Sequence, residues 1–420
     1  MKQRDPLFSS LFLLFLLFIA SFFIPFPVVL NVIAMGLLVV GALLYGKPAE
    51  KIQLLKERKH IWFMLAFAAM LLVSFLLSSN HASGLRALQL RIPLLLFPLS
   101  VGLLRLRRVQ RNNILLSMAI IVTLACLACL CRSVYLYQKD HNEALLYNDS
   151  LSSLIGQQSI YTSILVNLSI YIFGWFLFYV ASSTWKKILL FLAILFLFVI
   201  SYLLASRNMM LILYATTILF AFYSIIRKRR YLEGVTLLVA LFIVGFLFYK
   251  FFPKTINRFR ELAYTQFSYN SQGRESHYAG VLEADQWNGA NFRLAAWHCG
   301  LELFKEHPVF GVGLGDKKDE LFKKYEQKQF QFAITTRKNV HNNYLDILFS
   351  LGVAGLILFI LGWVILPFIR LAKSRDGLGI LILLTFALAM LTENYFDRGI
   401  GAMLFGFFIP FLLAERTREN

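Results

Sequence analysis

Three basic side chains stand at positions where the chain itself has little need of them. Arg207, in Ala205-Ser206-Arg207-Asn208, falls in a minimal connection between two long apolar runs. Arg293 begins a stretch of helical periodicity, and His341 opens the string His341-Asn342-Asn343-Tyr344-Leu345-Asp346, just before another apolar run. A guanidinium keeps its charge and grips phosphate oxygens bidentately. An imidazole titrates near neutrality and suits a general base. The bland readings are a snorkelling anchor for Arg207, a solvated helix charge for Arg293 and an ordinary interfacial polar group for His341.

Weaker candidates surround these three. Tyr344, Asn342 and Asp346 stand next to the histidine. Glu393 and Arg398 could pair with each other or line a site. Gln157, Gln158 and Tyr161 share another edge, and Arg86 and Arg91 could help hold a phosphate or a sugar. Cys126, Cys129 and Cys131 form a C-x-x-C-x-C string inside an apolar run, where small packing residues are the common reading. The nearest approach to a carboxylate pair outside the apolar runs is Glu283-Ala284-Asp285; no metal and no cofactor is expected.

The elements that must position these groups are membrane helices. Apolar residues make up 58% of the 420 and charged residues 15%. Apolar runs of close to twenty residues recur along the chain, as a bilayer core of about 30 Å requires. The alternation of a membrane β-barrel is absent. The runs predict twelve helices, near 7–24, 28–46, 61–79, 92–104, 113–134, 160–182, 188–206, 208–226, 234–252, 343–369, 377–392 and 399–415. The expected fold is therefore an all-α integral membrane protein: helices one to nine over 1–252, one large loop at 253–342, and helices ten to twelve over 343–420. Lys2 and Arg4 precede the first run, but no small-residue cleavage site follows it, so it reads as an uncleaved span.

Charge orients the spans. With the N-terminus inside, the inside connections hold twenty-two Lys and Arg, among them Lys2, Arg4, Arg227, Lys228, Arg416 and Arg418. The short outside connections hold six: Arg86, Arg91, Arg132, Lys139, Arg207 and Arg398. That asymmetry predicts cytoplasmic termini and an outside loop, because long loops escape the positive-inside rule. The net charge of +19 is spread over helix ends and one loop, not gathered on a soluble basic face, so nucleic acid is not an expected partner.

Within the loop, Leu294, Trp297, Leu301 and Phe304 predict one face of an amphipathic helix. Pro308 ends it, Gly311, Gly313 and Gly315 read as a flexible bend, and Asp316 is placed to cap a second helix running to about 328. No charged group sits in the middle of a predicted span, which argues against a transporter or flippase and puts any chemistry at the outer face.

The order Arg293, Trp297, Pro308, Gly311-x-Gly313-x-Gly315, His341-Asn342-x-Tyr344-Leu345, then Gly352-x-x-Gly355 resembles the signature of the O-antigen ligase and polymerase superfamily of bacterial membrane glycosyltransferases. The specific part covers about 290–365, with Ser206-Arg207 in support. The resemblance implies a GT-C-like helical membrane fold in the inner membrane of a Gram-negative cell, with the loop periplasmic. It also implies a donor glycan on undecaprenyl diphosphate and an acceptor that is either lipid A–core, for a ligase, or a second lipid-linked glycan, for a Wzy-type polymerase. By motif, the functional trio of such ligases falls on Arg207, Arg293 and His341. One long loop late in the chain, with only a modest 135–159 segment, leans toward the ligase.

Overall fold

The computed structural model describes residues 6–24, 29–226, 229–251, 253–271, 273–276 and 286–415. Lys2, Arg4, Arg227, Lys228, Arg416, Arg418, Glu283 and Asp285 lie outside these. The described residues form helices, with only isolated bridges between extended segments. The first half comprises α1 (Pro6–Ser21), α2 (Val29–Leu44), α3 (Pro48–Glu57), α4 (Lys59–Leu77), α5 (His81–Arg91), α6 (Pro93–Leu99), α7 (Arg108–Asp140), α8 (Asn148–Leu151) and α9 (Ser159–Tyr179). Then come α10 (Thr184–Leu203), α11 (Arg207–Ile226), α12 (Tyr231–Phe251) and α13 (Pro253–Arg260). The loop carries α14 (Asn291–Glu306), α15 (Lys317–Gln327) and α16 (Gln331–Thr335), and the chain closes with α17 (Asn343–Ile360), α18 (Leu366–Lys373), α19 (Gly377–Ala389) and α20 (Gly399–Leu413).

Among the described residues, seven spans are long and apolar enough to cross a bilayer, and an eighth if the bent pair α2–α3 counts as one. Four shorter apolar helices, at Leu7–Ser21, Tyr231–Leu247, Gly377–Ala389 and Gly399–Leu413, fill the remaining predicted stretches. The outward faces of the spans expose Leu77 of α4 and Leu232 and Phe242 of α12 at 81%, 83% and 76%, an apolar surface suited to lipid rather than water. The chain is an all-α, multi-pass membrane protein. The abundant phenylalanines do inter-helix work: Phe18 of α1 lies 5.4 Å from Phe97 of α6 and 5.1 Å from Phe407 of α20. Between helices in lipid such packing, more than hydrophobic transfer, supplies the attraction.

One span differs from its expected limits. The fourth crossing runs His81–Leu103, beginning eleven residues before the apolar run, so Arg86 and Arg91 sit on helix α5 and not in a connection. Asn80 caps α5, its side chain accepting from Ser83 N at 3.0 Å.

The loop has its own core. Trp287, Phe292, Ala295, Ala296, Cys299, Leu303, Tyr325 and Phe330 pack together, and Leu345 and Phe349 of α17 complete it. This shifts the expected face of α14: the deeply buried positions are Phe292, Ala295, Ala296, Cys299 and Leu303, whereas Leu301 is exposed. Small residues on that face let the helix approach closely, and Leu345 lies against Gly300.

The glycines of 311–315 make contact, not slack. Val312 N and Gly313 N donate to Phe349 O and Ser350 O at 2.9 and 3.0 Å, and Val353 N donates to Pro308 O at 2.9 Å. This exchange needs a break in α17, which Gly352 supplies at φ +68°, ψ −172°. A Cβ at Gly352 would overlap the Val309 carbonyl, and one at Gly311 the Ser350–Leu351 peptide. Asp316 does not cap its own helix. Its carboxylate accepts from Ser79 N and Asn80 N at 2.8 and 2.7 Å, pinning α15 to the end of α4.

Candidate functional site

Arg207 is the first residue of α11, after a turn in which Ala205 takes a left-handed conformation at φ 50°. Its side chain is 8% exposed and lies 3.7 Å from the carboxylate of Glu261, which is fully buried. The chain around Gly289 is fixed by two asparagines. Asn288 Oδ1 accepts from Ala290 N and Asn291 N, while Asn291 Oδ1 accepts from Asn288 N. The position of a Gly289 Cβ would be 2.5 Å from Arg207 Nη2 and 2.9 Å from Arg293 Nη1. The two guanidiniums thus lie side by side over a residue that has no side chain to push them away.

Arg293, on the first turn of α14, donates from Nη1 to Gly289 O at 2.5 Å and from Nε to Thr392 O at 3.0 Å. The next residue, Glu393, receives His341: Nδ1 lies 3.1 Å from Glu393 Oε2. With Nδ1 as donor to the carboxylate, Nε2 is left as the acceptor nitrogen on a ring whose side chain is 25% exposed. Burial would raise the Glu393 carboxyl, but the bond to His341, its charge and that of Arg293 outweigh it and hold the group below its ordinary range. His341 itself is held at φ 47° by Asn339 Oδ1, which accepts its backbone N–H at 3.0 Å, and stands edge-on to Phe292 at 5.7 Å.

Beneath this lies a buried charge network. Lys317 Nζ is 2.7 Å from both oxygens of Asp346 and 2.7 Å from Asp397 Oδ1. Arg91 Nη2 reaches the same carboxylates at 3.4 and 3.1 Å. Two cations and two anions balance, as burial requires. Asp397 Oδ2 accepts from Asn339 Nδ2 at 3.0 Å and from Asn394 Nδ2 at 2.8 Å, so the network supports both the residue that holds His341 and the strand of chain carrying Glu393. Burial would raise the Asp397 carboxyl, but Lys317, Arg91 and Asn339 outweigh it and keep the group well below the usual range.

The structure brings Arg207, Arg293, His341 and Glu393 together. The other candidates fall elsewhere. Tyr344 turns into the bundle and donates to Ala387 O at 2.8 Å, and the Asn342 side chain caps α17 through Leu345 N at 3.0 Å. Glu393 pairs with His341 and not with Arg398. Asp346 belongs to the Lys317 network. Tyr161 is buried against Tyr395, at 5.6 Å. Arg86, Arg91, Arg398 and Gln157 line a cavity of 1210 Å³ beside the site, whose walls include neither Arg207, Arg293 nor His341. Sequence reasoning missed Gly289, Glu261, Thr392 and Lys317. Only the run Asn288-Gly289-Ala290-Asn291, with turn-forming types ahead of a helix, carried a local signal.

The helical membrane bundle thus holds two arginines and a carboxylate-backed histidine together beneath one docked loop. Residues 192–360 match the family model for O-antigen ligase, a span holding Arg207, Arg293, His341 and Gly352. Over that span the chain is similar to the O-antigen ligase family, whose members are glycosyltransferase-like enzymes. No curated protein matches it.

Proposed function

We propose that the protein is an O-antigen ligase, moving a glycan from undecaprenyl diphosphate to lipid A–core at the periplasmic face of the inner membrane. The observation that carries this reading is the meeting of Arg207, Arg293 and His341, from three distant segments, around Gly289, Thr392 and Glu393. The acceptor hydroxyl gives its proton to His341 Nε2 as its oxygen bonds to the anomeric carbon. The bond from that carbon to the diphosphate oxygen breaks, and undecaprenyl diphosphate leaves with the electron pair. Arg207 and Arg293 stabilise the charge that develops on the diphosphate, a task given to divalent cations in many such enzymes, so the reading is metal-independent. Glu393 holds the imidazole tautomer and stabilises the imidazolium.

The test is reconstitution with diphospholipid-linked glycan and either lipid A–core or further donor. Product on lipid A is expected. A ladder on the lipid carrier would make the protein a polymerase, and no glycosidic product with either acceptor would refute the enzymatic reading. His341→Ala should abolish transfer while the protein still inserts and elutes as a single species; near-normal turnover would refute the general-base role.

A further inference from the structure

The cavity beside the site is lined by six cations and three carboxylates. Its two deepest cations, Arg91 and Lys317, are neutralised by Asp346 and Asp397. The one remaining acid, Asp319, accepts from Asn80 Nδ2 at 2.7 Å and pairs with no cation among the described residues. That leaves Arg86 of α5, Lys318 of α15, Arg337 after α16 and Arg398 before α20, all exposed and none ion-paired with an acid among the described residues. Four cations against the single remaining carboxylate give this lining a net positive charge that favours an anionic ligand. Lys318 is steered over the Phe322 ring at 5.8 Å, not toward an acid.

Apolar side chains complete the lining. Phe22, at the loop-side end of α1, joins Leu90, Ile400 and Met403. The cavity thus combines cations from the loop, Lys318 and Arg337, and from the bundle, Arg86 and Arg398, with apolar side chains, the mixed polarity that suits a charged glycolipid at a membrane surface.

Its relation to His341 is set by two shared residues. Asn339 and Asp397 line the cavity, while Asn339 Oδ1 holds the His341 backbone N–H and Asp397 lies four residues after Glu393. A ligand in the cavity therefore rests against residues that hold the His341 backbone and adjoin the Glu393 segment, and the lining includes neither Arg207 nor Arg293.

Resting on the transfer reading above, we infer that this cavity seats the acceptor, and that Arg86, Lys318, Arg337 and Arg398 recognise phosphoryl groups on an anionic, lipid-anchored glycan. The guanidinium forks suit phosphoryl oxygens, and their distribution around the cavity would fix the acceptor's register while its hydroxyl is offered to His341. The phosphoryl groups can come from phosphorylated core sugars or from the diphosphate of a second lipid-linked glycan.

The experiment is direct binding, so it does not depend on turnover. Fluorescent lipid A–core, intact or with its core phosphates enzymatically removed, is titrated onto the full chain in detergent, as wild type and as the triple variant Arg86→Gln/Arg337→Gln/Arg398→Gln. Wild type should bind the intact form at least tenfold more tightly than the dephosphorylated form, and the triple variant should bind both equally weakly. Equal binding of the two forms by wild type, or undiminished discrimination by the triple variant, would overturn the inference for the core. In a second arm the stoichiometry of diphospholipid-linked glycan is counted. A fall from two per chain to one in the triple variant assigns the phosphoryl groups to the carrier, and no change in either arm overturns the site altogether. An Arg→Lys triple variant, which keeps charge, should recover part of the affinity and shows that folding is not the cause. Discrimination without any transfer would sink the function proposed above and leave this site standing; transfer without discrimination would do the reverse.

Discussion

Replacing Lys317 with Met tests whether the buried network positions the histidine. The ammonium contacts three carboxylate oxygens at 2.7 Å, and the side chain is only 10% exposed. Without it, Asp346 and Asp397 share a single cation, Arg91, at the longer distances of 3.4 and 3.1 Å. Removing one partner from a buried ion pair costs about 3–5 kcal/mol, because a charge is left uncompensated. The double variant Lys317→Met/Asp346→Asn restores charge balance by leaving Arg91 with Asp397. It should recover all but about 1–2 kcal/mol of that loss, since neutral replacements of a buried pair are often well tolerated.

The same perturbation should reach chemistry. Asp397 holds Asn339, and Asn339 holds the His341 backbone, so a slackened Asp397 lets the imidazole drift. A displacement on the order of 1 Å can cost about a hundredfold in rate. Lys317→Met should therefore lower kcat by about ten- to a hundredfold while donor KM stays near wild type, because Arg207 and Arg293 are untouched. The assays are unfolding in detergent and glycan transfer, run as a double-mutant cycle. A coupling between Lys317 and Asp346 below about 0.5 kcal/mol would refute the network as an energetic unit. Full activity in Lys317→Met would refute its positioning of His341.

Gly352→Ala forces a Cβ into the Val309 carbonyl at a left-handed φ, which costs about 1–3 kcal/mol for the backbone alone. Limited proteolysis should then cut at 308–313, where wild type resists. Asp316→Ala deprives Ser79 N and Asn80 N of a charged acceptor and should destabilise docking of α15 by about 1.5–3 kcal/mol, read as faster hydrogen exchange over 314–320. The pH dependence follows from Glu393 and Asp397, both held below their ordinary values of 4.5 and 3.8. A lowered folded pKa contributes stability that is complete above the ordinary value and lost as pH falls through the folded one. The unfolding midpoint should be flat from these groups above about pH 5 and fall below about pH 4. Glu393→Gln should make that acid fall shallower, and an unchanged slope would refute the assignment.

The spans were legible because a bilayer imposes one length and one chemistry on every crossing. The fourth was read eleven residues late because Arg86, Gln89 and Arg91 make α5 look polar. Arg91 is tolerated there through carboxylates 255 and 306 residues away, a pairing no local pattern records. The trio of Arg207, Arg293 and His341 was legible through residue type and motif. Glu393 was named without its true partner, because the strand that carries it folds back onto His341 from 52 residues downstream. On the expected face of α14, Trp297 and Phe304 pack at the edge of the loop core and Leu301 is exposed, while the small residues Ala295, Ala296 and Gly300 make the closest approach. Periodicity weighs bulk; close helix packing rewards its absence.

The break in α17 explains why the loop is a fixed part of the site. A helix interrupted at Gly352 leaves the carbonyls of Phe349 and Ser350 and the N–H of Val353 without intrahelical partners. Polar backbone left unpaired in an apolar setting costs several kcal/mol per group. Segment 308–313 supplies those partners, so the 253–342 loop is held against α17 by hydrogen bonds the helix cannot make for itself. His341 lies in the same loop two residues before α17 begins, and Arg293 in the helix that feeds Pro308. The register that satisfies the broken helix therefore also sets the distance between the two groups. Lifting the loop would separate the histidine from Glu393 and Arg293 from Thr392 while stripping α17 of its bonds. On the transfer reading proposed above, access for two lipid-anchored substrates then comes at lower cost from the sides, along the bundle, than by lifting the loop.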